Sequence, residues 1–207
     1  MKILFYGDSI TDAGRTRDLD IPNKGLGGGY VSYIANQLFE KSLTDYDIYN
    51  TGISGNRIVD LYARIKIDCW NIKPDLLSIL IGINDIWHEV KRHNGVEIDR
   101  FEKVYRMLLE DTKKALPETK IMLLEPFVLK GSATEEEYEK FLAVKDYAKV
   151  VKKLAEEFGA VFVPLGEAFD KAGAEYGNEN ILADGVHPTM KGAAVLGKEW
   201  LRAFENT

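Results

Sequence analysis

Apolar residues fall along this chain in two rhythms, short continuous runs and longer stretches where they recur every three or four positions. The first run, Ile3-Leu4-Phe5-Tyr6, shows no polar alternation, which suits a strand buried on both faces. It stops at Gly7, which permits a tight turn, and leaves Asp8-Ser9 just past the strand end, where open α/β sheets place their ligands. A polar, glycine-rich stretch over 12–29 has no periodicity and reads as a loop. Val31, Ile34, Ala35, Leu38 and Phe39 then predict a helix, and 46–50 a second strand running into Thr51-Gly52-Ile53-Ser54-Gly55-Asn56. Ile58, Leu61, Tyr62 and Ile65 predict another helix. A third strand over 75–81 ends in Gly82-Ile83-Asn84-Asp85, and 86–98, with Trp87, His88 and His93, reads as a second long loop.

Beyond it the pattern predicts a helix from near Asp99 to Pro117, a strand over 120–125, and a loop containing 131–134. A long helix from Phe141 to Phe158 follows, closed by Gly159. A fifth strand over 160–164, a short helix over 167–172, an irregular segment, and an amphipathic helix from Met190 to Phe204 complete the chain. Five strands alternating with helices predict a parallel sheet. With right-handed crossovers the economical strand order is 2-1-3-4-5, a flavodoxin-like α/β/α sandwich in three layers, formed as a single domain over 1–207. Strand 1 then lies between strands 2 and 3, so the loops carrying Ser9, Gly52 and Asn84 meet at one crevice.

Composition narrows the function classes. The 207 residues include 27 basic and 33 acidic side chains, a net charge of −6, with no basic cluster suited to nucleic acid or an anionic membrane. Cys69 is the one cysteine, so neither a disulfide framework nor a cysteine-rich metal site is expected. The N-terminal apolar run is too short for a signal peptide and no stretch approaches a membrane span, which points to the cytoplasm. Gly25 to Gly29 lack the Lys-Ser/Thr of a phosphate-binding loop.

Candidate chemistry gathers at the crevice. A serine hydroxyl needs a base, and of three histidines His187 stands in Asp184-Gly185-Val186-His187-Pro188, where a rigid turn sets a carboxylate against one ring nitrogen. The other nitrogen is then free to face Ser9. Alternatives remain at this level: Asp8, Ser9 and Thr11 are also helix-capping residue types, and Asp184 and His187 suit a solvated turn. His88 and His93 read as rim residues, and the three histidines lack a metal-ligand spacing. Donors for an oxyanion are the backbone N–H groups of Ser9 and Gly52 and the side-chain amide of Asn84, although Gly52 also suits a plain turn and Asn84 a loop closure. Asp8, Asn56 and Trp87 are candidate substrate contacts, with Trp87 offering an aromatic face to a sugar ring.

Gly7-Asp8-Ser9-Ile10-Thr11, Gly52 within Asn50-Thr51-Gly52-Ile53-Ser54-Gly55-Asn56, Gly82-Ile83-Asn84-Asp85, and Asp184-Gly185-Val186-His187-Pro188 together resemble the four blocks of the SGNH hydrolases, or GDSL esterases. Ile10 stands where the family name has Leu. The resemblance implies an SGNH hydrolase fold, Ser9 as nucleophile, His187 as base, Asp184 as its orienter, an oxyanion hole from Ser9, Gly52 and Asn84, and no cofactor. The segments around Trp87 and Gly52 are similar to intracellular carbohydrate acetylesterases of the family, implying a small acyl ester of a soluble alcohol as substrate; Trp87, the long loops and the C-terminal helix could support a homo-oligomer, which nothing in the sequence selects. A lysophospholipase or acyl-thioesterase on the same site is the runner-up. A flavodoxin-like signalling module, with Asp8 accepting phosphate, is the alternative from outside the enzymes.

Overall fold

The computed structural model describes residues 1–17 and 21–205. The expected 12–29 loop therefore includes three positions outside the described residues. In chain order the elements are β1 (Lys2–Gly7), α1 (Ser9–Asp12), α2 (Tyr30–Lys41), β2 (Asp47–Asn50), α3 (Ile58–Ile65), β3 (Leu76–Leu80), α4 (Ile83–Arg92), α5 (Ile98–Ala115), β4 (Lys120–Leu124), α6 (Tyr138–Phe141), α7 (Val144–Phe158), β5 (Val161–Val163), α8 (Gly166–Tyr176), α9 (Asn178–Ile181) and α10 (Met190–Phe204). A widened π-type turn, Lys66–Trp70, extends α3.

The sheet is parallel with order β2-β1-β3-β4-β5, as expected. Gly7 stands opposite Leu80 and Phe5 opposite Asn50, which brings the carboxyl ends of β1, β2 and β3 level at one edge. On one face α10 packs on α2 and α8; on the other α5 packs on α3 and α7. The continuous runs are strands because both faces are covered: Ile3 to Tyr6 and Leu76 to Leu80 are all buried. Trp200 of α10 is fully buried against Phe5, with ring centroids 5.3 Å apart, and its indole N–H donates to Ser78 Oγ of β3 at 3.0 Å. That bond ties the last helix to the central sheet.

Two expected elements differ. The loop over 86–98 is largely helix α4, entered directly from β3 because Gly82 takes φ 132°, a turn other residues resist. Its apolar stripe, Ile83, Ile86, Trp87 and Val90, has helical spacing, but the helix starts almost at once after β3, so its first turn reads as the end of the strand. His93 ends the helix in the left-handed conformation, φ 51°. The long helix over 141–158 is divided: Phe141 closes α6, and α7 begins at Val144. Gly159 does cap α7, with φ 60°.

Candidate active site

The site begins where β1 stops. A Cβ on Gly7 would collide with the Leu80 carbonyl and the Thr11 side chain, so only glycine lets the chain turn this sharply from strand into α1. Asp8 caps that helix, Oδ1 accepting from Ile10 N–H at 3.0 Å, and Ser9 is its first residue. The Ser9 N–H is thereby one of the helix-start donors with no intrahelical acceptor. Asp8 is fully buried and corrects the expectation of a substrate contact: its carboxyl is used beneath the turn and is screened from solvent. Burial pushes that carboxyl up to about 7, against the pull of the Ile10 N–H and of His187. Its Oδ2 has no hydrogen-bond partner among the described residues.

His187 reaches Ser9 from the far end of the chain. Its Nε2 lies 2.8 Å from Ser9 Oγ and its Nδ1 2.7 Å from Asp184 Oδ2. An ionised carboxylate can only accept, so Nδ1 carries the proton and Nε2 is left to accept from the serine hydroxyl. The Asp184 turn is held from within: Oδ1 also accepts from the N–H groups of Val186 at 3.0 Å and His187 at 2.9 Å. It is held from outside as well, by the bridge between Leu182 and Pro188 and by bonds from Leu129 N–H to Gly185 O and Ala133 N–H to Asp184 O. Burial alone would raise the Asp184 carboxyl, but the hydrogen bonds from the His187 ring and the two N–H groups outweigh it and hold it well below the usual range. His187 is raised, chiefly by its hydrogen bond to Asp184 and, against some desolvation, by the charges of Asp184 and Asp8.

Asn84, in the first turn of α4, is nearly buried and donates from Nδ2 to Asn56 O at 3.1 Å, leaving its second N–H available. The assignment of Gly52 as an oxyanion donor is corrected. Its N–H already donates to Asn50 Oδ1 at 2.9 Å, and the residue is sealed against α1, where a Cβ would collide with the Asp12 backbone. Arg15 Nε and Arg17 Nη1 hold its carbonyl at 2.7 and 3.0 Å. Asn50-x-Gly52 is the spacing of an asparagine that bonds the backbone two residues on, a signal present in the sequence. Three residues later Gly55 takes φ 82° in a turn closed by Asn56 N–H to Ile53 O at 3.2 Å. Among the described residues its N–H donates no hydrogen bond. Desolvation, with Arg57 and Arg92 nearby, lowers His88.

Asn56 does stand beside Asn84, but its Oδ1 accepts from Arg64 Nε at 2.7 Å. Trp87 is half-buried on α4 with its ring 5.3 Å from that of Phe141, and it does not line the cavity at Ser9. That cavity, about 250 Å³, is walled by Ile10, Ala13, Gly28, Gly29, Tyr30 and Pro188 around Ser9 and His187. Gly28 and Gly29 belong to the glycine-rich 12–29 loop that the sequence places at the active edge, and here they form a wall of the Ser9 cavity.

Residues 5–195 match the model of the GDSL-like lipase/acylhydrolase family. The chain belongs to that family. This GDSL hydrolase is 36% identical over 208 residues to an acetylxylan esterase from Geobacillus stearothermophilus, covering 97% of this chain and 92% of that one. A solved structure of that esterase superposes with a TM-score of 0.88 at 35% identity, covering 98% of this chain and 93% of the other. Its other solved forms include catalytic mutants in which a serine or an aspartate is replaced by alanine. A Parabacteroides merdae protein assigned to the GDSL-like lipases superposes at 0.94 with 40% identity, covering 100% and 96%. The GDSL hydrolase described here is a carboxylic ester hydrolase. No helix among its described residues is long and apolar enough to cross a membrane.

Proposed function

We propose that this hydrolase removes acetyl or similarly short acyl groups from a carbohydrate, with Ser9 as nucleophile. The observation that carries the reading is the continuous relay from Ser9 Oγ through the His187 ring to Asp184, at 2.8 and 2.7 Å. His187 Nε2 takes the hydroxyl proton as Oγ bonds to the ester carbonyl carbon, and Asp184 stabilises the imidazolium. The tetrahedral oxyanion accepts from the Ser9 N–H, the second N–H of Asn84 Nδ2 and the Gly55 N–H, the last in place of Gly52. As the C–O bond to the alcohol breaks, His187 returns its proton to the leaving oxygen. Water, deprotonated by His187, then attacks the acyl-serine, releases the carboxylic acid and restores Ser9.

The acetyl and carbohydrate parts of the reading rest on the likeness to the Geobacillus acetylxylan esterase and on the small cavity beside Ser9. The test is hydrolysis of p-nitrophenyl esters from acetate to palmitate, beside acetylated xylo-oligosaccharides, by wild type and Ser9→Ala. Turnover confined to acetate and propionate, release of acetate from the oligosaccharides, and a loss of at least about 10³-fold in the variant are expected. A preference for long chains would move the lysophospholipase or thioesterase reading to the front. Near-wild-type turnover by Ser9→Ala would remove Ser9 from the mechanism.

A further inference from the structure

One side chain outside the relay touches two of the three strand ends that meet at the site and reaches the third through one intervening residue. Arg64, on α3, donates from Nη2 to Gly7 O at 3.0 Å and from Nη1 to Thr51 O at 2.7 Å. Its Nε donates to Asn56 Oδ1 at 2.7 Å. Gly7 immediately precedes the Asp8-Ser9 turn, Thr51 immediately follows β2, and Asn56 immediately follows Gly55. The carbonyl of that same Asn56 receives Asn84 Nδ2 at 3.1 Å, so the third strand end is reached through one intervening residue. Asp68 Oδ2, 2.8 Å from Nη1, and the Tyr6 ring, 4.4 Å below the guanidinium carbon, fix the side chain in place.

We infer that Arg64 is a positioning residue that holds the Ser9, Gly55 and Asn84 donors in one geometry for the oxyanion. This rests on the oxyanion assignment proposed above. The planar guanidinium presents its N–H groups in a fixed fork, and here the fork spans three acceptors on two separate segments, the end of β1 and the turn after β2. A lysine keeps the charge but offers a single nitrogen, which cannot bridge Gly7 O, Thr51 O and Asn56 Oδ1 together. Preorganised donors act because they need not reorient as charge develops, so loosening their spacing reduces turnover more than it reduces ground-state binding.

The experiment is a cycle of Arg64→Lys and Asn84→Ala, singly and together, with kcat and KM on p-nitrophenyl acetate and the urea midpoint of each variant. Arg64→Met gives a charge-free comparison, and added ethylguanidinium is tested on Arg64→Ala. Arg64→Lys is expected to lower kcat about 10- to 100-fold with KM within about twofold of wild type, at pH values where the urea midpoint shows it fully folded. In the Asn84→Ala background the further loss should be smaller than in wild type, because one of the three donors that Arg64 sets is already gone. Ethylguanidinium should restore part of kcat to Arg64→Ala. Equal losses in both backgrounds, or a loss confined to KM, would overturn the positioning role while leaving the oxyanion reading standing. An unchanged kcat in Asn84→Ala alone would overturn the oxyanion reading first, and the role of Arg64 with it.

Discussion

At the scale of single residues, the two carboxylates beside the Ser9–His187 pair, Asp184 and Asp8, are driven in opposite directions by their surroundings. Asp184 accepts three hydrogen bonds and is held charged, while Asp8 is buried with one oxygen unpartnered and is pushed up to about 7. In the proposed mechanism His187 is a base only when neutral, and its pKa is raised above the ordinary value of about 6.5. The acid limb of kcat/KM is therefore expected at a pH above about 6.5. Asp184→Asn should move that limb lower and reduce kcat by about 10³- to 10⁴-fold, as read from a pH–rate profile of both proteins. An acid limb that does not move would show that Asp184 does not set the charge on the ring.

Asp8 makes a separate prediction about stability. Its carboxyl titrates near 4 in an unfolded chain and at about 7 when folded, so between those values the native state binds the extra proton. That contribution is fully present below about pH 4 and is lost as pH rises through about 7. Asp8→Asn, with no proton to lose, should gain stability relative to wild type across this window. Urea midpoints at pH 4.5 and pH 8 measure it, and a difference between the two proteins that does not change with pH would refute it. Taking the difference against wild type cancels the carboxylates that shift the other way, Asp12 and Asp60 among them.

At the scale of elements, helices are legible where a loop sets them apart from the preceding strand and obscure where they start without one. The stripe of α10 was readable, and its Trp200 reaches Ser78 across the core. Ser78→Ala should leave the buried indole N–H without an acceptor and cost about 1–3 kcal/mol, seen as a lower urea midpoint with the acetate activity per folded molecule retained. A midpoint equal to wild type would mean the indole finds another acceptor. By contrast α4 carries Ile83, Ile86, Trp87 and Val90 at helical spacing but starts directly after Gly82, so its first turn reads as the end of β3 and the rest as a loop. The consequence is functional: Asn84 sits in the first turn of a helix, where the backbone fixes its Cβ direction, and is not carried on a loose segment.

Across the whole molecule, the order of short apolar runs and helical stretches was enough to set the sheet as β2-β1-β3-β4-β5, and with it the meeting of Ser9, Asn84 and the turn after β2. Local spacing was also enough for the Asp184–His187 pair, since three residues bring both to one turn. Those features depend on burial patterns and short-range geometry, which the linear chain carries. Which glycine N–H is free depends on what else lies near it: Gly52 is spent on Asn50 and pressed against α1, and Gly55 is not. Asp8 lies under the turn for the same reason, and Arg64, unremarkable in a helical stretch, meets Gly7, Thr51 and Asn56 only when β1, β2 and α3 are packed together. Hydrogen-bond partners drawn from segments up to 57 positions apart are chosen by packing, and that choice was made by the tertiary structure alone.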